Sequence, residues 1–189
     1  MRQQAQVLSL PCVPLVDWPA TATYADIAGG IGTLAGRGIA SSAPCTRNPG
    51  RSAPGAGART AVDGKGVAGR CTLHPGSLFA PPPAADMYLL ARVLHDWEDD
   101  HAVKILTAVS AGPGSRLRIF ERLLPDDDRP DRAKMSDVAM LLLLGGGRER
   151  TAAQYRELLE QAGWQMGQIV TNPGAMSVIE ASRPPTGSI

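Results

Sequence analysis

The segment from His95 to His101, HDWEDDH, sets two imidazoles and four carboxylates within seven residues. Imidazole titrates near neutral pH, so a histidine aimed at a substrate can accept a proton from a phenol or an alcohol. His95, Asp96, Asp99 and His101 are also all metal-ligand types. A helix N-terminus already favours negative charge, however, which accounts for the acids without an ion, and no metal is expected. His95 alone has a plain alternative as a polar surface group or a satisfied core group at a strand end. Two more acids bear on it: Glu121, near the end of the apolar run RLRIFERLL, and Glu149, between Arg148 and Arg150, where an ordinary surface ion pair is the simple alternative.

The elements that must position these groups follow from the apolar pattern. Met87 to Leu90 is a continuous apolar run with Val93 and Leu94 behind it, which suits a central parallel strand covered on both faces. After Trp97 the period changes: Ala102, Ile105, Leu106 and Val109 fall at helical spacing, ending near Gly112-Pro113-Gly114. His95 is thus expected at the carboxyl end of a strand just before a helix, where open α/β sheets bind ligands. Arg116 to Leu124 is expected as another strand, with Glu121 on the same rim.

Tyr24 to Ala28 is expected as a strand running into Gly29-Gly30-Ile31-Gly32, a turn where backbone comes close to a ligand. A dinucleotide fingerprint starting at Gly30 and Gly32 needs its third glycine at position 35, which is Ala35. That counts against a nicotinamide oxidoreductase, and the lack of a Gly-Lys-Ser/Thr ending excludes a P-loop. Asp26 ahead of the glycines suits a cofactor with an amino-acid tail, the carboxylate serving an ammonium or a neighbouring water.

At 189 residues the chain is long enough to bury a core, and its net charge of +1 argues for neither nucleic acid nor an anionic membrane as partner. Three widely spaced cysteines with no CxxC pair fit a reducing cytoplasm. The longest apolar run, Val138 to Leu144, is far short of the roughly 20 residues a membrane span needs. Residues 1–20 are read as a linker-like opening without signal-peptide design. Residues 36–59 contain one large aliphatic residue, Ile39, and no acid, so no strand or amphipathic helix is expected there and the stretch is read as low-complexity and disordered. Beyond it come a short strand ending at Leu73, the turn Gly76-Ser77-Leu78-Phe79, and a buried helix over Ala133 to Leu144 interrupted by Lys134 and Asp137. Thr151 to Gln154 is a capping box opening a helix that Gly163 stops. Trp164 to Val170 and Met176 to Ala181 are expected as an antiparallel hairpin at the end of a mixed sheet.

Taken together, LLARVLHDWEDDHAVKIL, FERLLPDDD and LLLLGGGRERTAAQYRELLEQAGW, in this order and at these separations, resemble the S-adenosylmethionine-dependent O-methyltransferases of the plant caffeate and bacterial polyketide or hydroxyindole type. The resemblance covers roughly residues 16–35 and 60–182. It implies an α/β fold, the Rossmann-like mixed sheet of class I methyltransferases with flanking helices, incomplete around the second strand. The implied domain is 21–183, with 184–189 a tail and the family's N-terminal dimerisation domain, and its homodimer interface, absent. The implied cofactor is S-adenosylmethionine, held by Asp26, Ala28, Gly29, Gly30, Gly32, Ser77 and Leu78. The implied substrate is a small aromatic secondary metabolite with a phenolic or enolic hydroxyl. His95 resembles the general base, Glu121 and Glu149 the two acids that hold its ring, and Asp96 a neighbour of the substrate hydroxyl.

This chain departs from the family at Ala28, where a glycine is usual, at Ser77 in place of a frequent acid, at Ala91 in place of a frequent lysine, and in lacking an acid at the end of the second strand. The alternative expectation is an inactive fragment that survives as an interaction module. Loss of pattern after Ala35 and its return by Thr60 are what two compensating frameshifts produce; another reading frame should then encode an apolar strand ending in Asp or Glu.

Overall fold

A computed structural model describes residues 10–15, 17–19, 22–28, 45–48, 71–74, 76–144, 147–172 and 176–184. Seven strands form one sheet: β1 (Tyr24–Ile27), β2 (Cys45–Asn48), β3 (Cys71–Leu73), β4 (Met87–Ala91), β5 (Arg116–Glu121), β6 (Gln165–Thr171) and β7 (Ser177–Ser182), in the order β3-β2-β1-β4-β5-β7-β6. The first five run parallel, and β7 lies antiparallel to both β5 and β6. Three α-helices are described, α1 (Asp99–Ser110), α2 (Arg132–Leu144) and α3 (Ala152–Gln161). The expected class of fold, the central strand and the closing hairpin are all present.

β4 sits between β1 and β5, and its run is buried on both faces because alternate side chains enter two separate cores. Tyr88 and Leu90 join Ile27, Leu117 and Ile119 under the helices; Met87 and Leu89 join Tyr24, Phe120 and Val178 on the other side. α1 buries Ala102, Ile105, Leu106 and Val109, the stripe its spacing predicts. α3 opens with the reciprocal capping box of Thr151 and Gln154 and stops at Gly163, whose φ of +78° is the left-handed conformation that suits glycine. The Trp164 indole N–H then donates to the Leu106 carbonyl at 3.1 Å, locking β6's start onto α1.

Three expectations need correction. The opening stretch is not linker-like where it is described: a 3-10 turn, Leu10–Leu15, buries Cys12 and Val13 against the sheet. Trp18 stacks near Phe120 with centroids 6.4 Å apart, and its N–H donates to Val13. Residues 36–59 do contain a strand, β2, held between β1 and β3; parallel pairing uses backbone groups, so it does not require an apolar side-chain pattern. The rest of 36–59 lies outside the described residues.

α2 is the third. It is not a buried helix: Ala133 is covered, but Met135, Val138 and Leu142 are 74%, 54% and 78% exposed. Its polar residues Ser136 and Asp137 are the ones that turn toward the 147–150 segment. An apolar helix with no amphipathic stripe carries no signal of which side faces in.

Candidate active site

At the end of β4 the chain turns sharply. Arg92 takes φ +55°, a left-handed conformation costly for a residue with a Cβ, while its N–H donates to the Phe120 carbonyl at 3.0 Å. That bend launches a 3-10 turn, Leu94–Asp96, and places His95 over the carboxyl rim with 2% of its surface exposed.

Glu121, fully buried at the end of β5, holds this turn with both oxygens. Its Oε1 accepts from the Val93 and Leu94 N–H groups, each at 2.9 Å, and its Oε2 lies 2.6 Å from His95 Nδ1. An ionised carboxylate only accepts, so Nδ1 carries the proton in this pair and Nε2 is the ring nitrogen not engaged by Glu121. Nε2 lies 3.2 Å from Asp96 Oδ1 and 3.4 Å from an Arg92 guanidinium nitrogen.

Glu149 is also fully buried, and ligand atoms of His95, Glu121 and Glu149 all lie within 4.8 Å of one another. Its Oε1 accepts from the Ser136 hydroxyl at 2.6 Å, and its backbone N–H donates to Asp137 Oδ1 at 2.8 Å. Its Oε2 has no hydrogen-bond partner among the described residues, so Glu149 flanks the ring and Glu121 grips it. The sequence reading missed Ser136 and Asp137; the signal available was two polar residues side by side in an otherwise apolar helix.

The electrostatics follow from this packing. Burial alone pushes the His95 imidazolium toward losing its proton, but the Glu121 charge and hydrogen bonds to Asp96 and Glu121 outweigh it and raise the pKa to about 10, with Arg92 opposing. Burial raises the Glu149 carboxyl above its usual range; the Ser136 hydrogen bond pulls back, and the Glu121 charge adds to the rise.

The metal alternative built on His95, Asp96, Asp99 and His101 does not assemble. Asp99 pairs with Arg150, and His101 packs on Phe79 and Trp97. Among the described residues the candidate cluster is His95, Glu121 and Glu149. There the 2.6 Å between Nδ1 and Oε2 has room for a proton, whereas two ligands bound to one ion at about 2 Å each stand farther apart.

On the cofactor side, Asp26 is buried in β1 and Ala28 leaves the strand at φ +58°; Gly29, Gly30 and Gly32 lie outside the described residues. Beyond the end of β3, Leu78 is buried and Ser77 exposed. Ile27, Leu78, Val93 and Leu94 belong to one apolar cluster, with Ala28 and Trp97 packed on it, so the end of β1 and the turn that carries His95 share a core with Leu78. The sheet order reverses between β1 and β4, the position at which such sheets form a binding crevice.

A parallel sheet closed by an antiparallel hairpin, with this crevice and a carboxylate-gripped histidine on its rim, defines the Rossmann-like methyltransferase class. The O-methyltransferase domain profile matches residues 1–165, and the chain belongs to that family. It is 34% identical over 173 residues to the mitomycin biosynthesis 6-O-methyltransferase of Streptomyces lavendulae, an alignment covering 88% of this chain and 49% of that protein. The structure of the mitomycin 7-O-methyltransferase superposes with a TM-score of 0.85 at 30% identity, over 96% of this chain and 54% of that one. An O-methyltransferase of neocarzinostatin biosynthesis, solved with S-adenosylmethionine and 2-hydroxy-5-methyl naphthoic acid, gives 0.81 at 28% identity, over 96% of this chain and 55% of that one. The chain spans about half the length of the relatives it matches. No helix among the described residues is long and apolar enough to cross a membrane.

Proposed function

We propose that this chain is the catalytic domain of a cytoplasmic S-adenosylmethionine-dependent O-methyltransferase that methylates a phenolic or enolic hydroxyl of a small aromatic secondary metabolite. The observation that carries the reading is the buried His95–Glu121 pair at the rim of the sheet, beside the point where the strand order reverses between β1 and β4. The fit to the cofactor rests on the donor set: a buried carboxylate, Asp26, suits an ammonium, the left-handed exit at Ala28 leads into the glycines, and Leu78 supplies an apolar wall. Asp26, Ala28, Gly29, Gly30, Gly32, Ser77 and Leu78 would hold it. When bound, its sulfonium supplies an already activated methyl group.

The chain's residues then have to position an oxygen and take its proton. His95 Nε2 removes the hydroxyl proton as the oxygen attacks in line, and Asp96, half-exposed and 3.2 Å from Nε2, neighbours the substrate hydroxyl and can accept from the Nε2–H that forms. Glu121 keeps the proton on Nδ1, orients the ring and stabilises the imidazolium that forms. A phenol has a pKa near 10, and His95 is raised to about 10, so proton transfer between them is close to thermoneutral. The neutral imidazole is the base, so the rate rises with pH through the neutral range and levels off as His95 loses its proton.

His95→Gln tests this directly. It should lower methyl transfer to an aromatic hydroxyl acceptor by about 10²- to 10⁴-fold while calorimetric binding of S-adenosylmethionine persists. Unchanged turnover would remove His95 from the mechanism. One observation favours the second reading, a catalytically inactive interaction module: the exposed row Met135, Val138 and Leu142 on α2. Absence of cofactor binding at millimolar concentration would favour it.

A further inference from the structure

We infer that Arg150 is a positioning residue for His95: its buried guanidinium ties the histidine turn to the segment that carries Glu149, and so sets the ring against both carboxylates. The inference deepens the proposed function and rests on it for its catalytic meaning, but its geometry stands apart from any ligand. Arg150 is fully buried, on its face an expensive place for a charge.

Its hydrogen bonds explain the placement. Nη1 donates to the Leu94 carbonyl at 2.9 Å and Nη2 to the Trp97 carbonyl at 2.7 Å, the residues flanking His95 and Asp96. Nε donates to Asp99 Oδ1 at 2.8 Å, which neutralises the charge at the start of α1. Two residues earlier, the Arg148 N–H donates to the His95 carbonyl itself at 2.9 Å. Carbonyls of a one-turn 3-10 segment have little intrahelical pairing, and here two of them, from Leu94 and His95, together with that of Trp97 just beyond, are taken by one strip of chain. Glu149 lies between the two donors. The strip is pinned to β5 in turn, since Leu124 N–H donates to the Arg150 carbonyl at 2.9 Å, three residues past Glu121. The guanidinium therefore ties the His95 turn to the strip that carries Glu149, while the Arg150 carbonyl ties that strip to the chain leaving β5.

Lysine at this position keeps the charge but offers one nitrogen where three carbonyl and carboxylate groups need a planar fork. Arg150→Lys should therefore loosen the His95 turn without changing the local charge. The chain contains three histidines, His74, His95 and His101, so each imidazole can be followed by NMR through a pH titration of the full chain without cofactor. The groups facing the His95 ring are Glu121 from β5, Glu149 from the strip, Asp96 from its own turn and Arg92 from the end of β4, with Tyr155 of α3 near Glu121. Looser contact with the carboxylates favours the neutral ring, so the His95 midpoint should fall by about one pH unit or more.

A folded Arg150→Lys with an unshifted His95 midpoint overturns the inference. Should that variant fail to fold, Asp99→Asn is compared with Asp100→Asn, two neighbouring acids of which Asp99 alone contacts Arg150. A larger downward shift of His95 in Asp99→Asn supports the positioning role, and equal shifts overturn it. Because the titration needs neither cofactor nor turnover, a chain that never binds S-adenosylmethionine would refute the proposed function and leave this result readable.

Discussion

The two faces of the sheet are covered in different ways. On one, α1 and α3 lay regular apolar stripes over Ile27, Tyr88, Leu90, Leu117 and Ile119. On the other, over Tyr24, Met87, Leu89 and Phe120, the described cover is an irregular stretch with two prolines inside its 3-10 turn, Cys12, Val13 and Trp18 being its contacts. Periodic helices bury many side chains per turn of chain; an irregular strap buries a few and depends on individual contacts, such as the Arg118 guanidinium 4.9 Å from the Trp18 ring and its 3.0 Å pair with Glu180. The first kind of cover is strong and visible in sequence, the second weaker and silent.

That comparison can be broken by measurement. Leu106→Ala, at a fully buried position on the inner face of α1, should cost about 3 kcal/mol of unfolding free energy in a denaturant titration. Trp18→Ala on the strap should cost about 2 kcal/mol, and an equal or larger loss than at Leu106 would abolish the distinction between the faces. Thr151→Ala removes the side-chain acceptor of the capping box and should cost about 1 kcal/mol.

A pH dependence gives a separate test on the helix-covered side. His95 is raised above its ordinary 6.5 to about 10, so its share of stability is complete below pH 6.5 and is lost as pH rises through about 10. Denaturant midpoints measured from pH 6.5 to 10 should therefore fall, and the fall should diminish in Glu121→Gln, where the charge that sustains the imidazolium is gone.

What could be read in advance follows the same division. β4, α1 and the capping box of α3 are signalled by continuous, 3.6-residue or fixed-offset patterns, and His95 and Glu121 lie at the ends of two of those elements. Their meeting at 2.6 Å follows from β4 and β5 being parallel neighbours in register, Ala91 beside Phe120. β2 was illegible because the strand pairing of Cys45 to Asn48 uses backbone groups and needs no side-chain pattern, and the strap because prolines and a lone tryptophan have no period. Glu149 between two arginines resembles any exposed ion pair; only the fold reveals that Ser136 and Asp137 draw it inward. The same arginine-rich triplet gave no hint that Arg150 is buried.

The pairing of β1 with β4 joins parts of the chain far apart in sequence: Thr23 and Asp86, hydrogen-bonded just before the two strands, are 63 positions apart. A ribosome adding about 5–20 residues per second makes the first of these strands roughly 3–13 seconds before its neighbour exists. Through that interval Tyr24, Ala25 and Ile27 have no β4 to pair with in the nascent polypeptide. Translation speed and chaperone supply during those seconds would then join the strength of the finished sheet in setting how much of the protein reaches its native state.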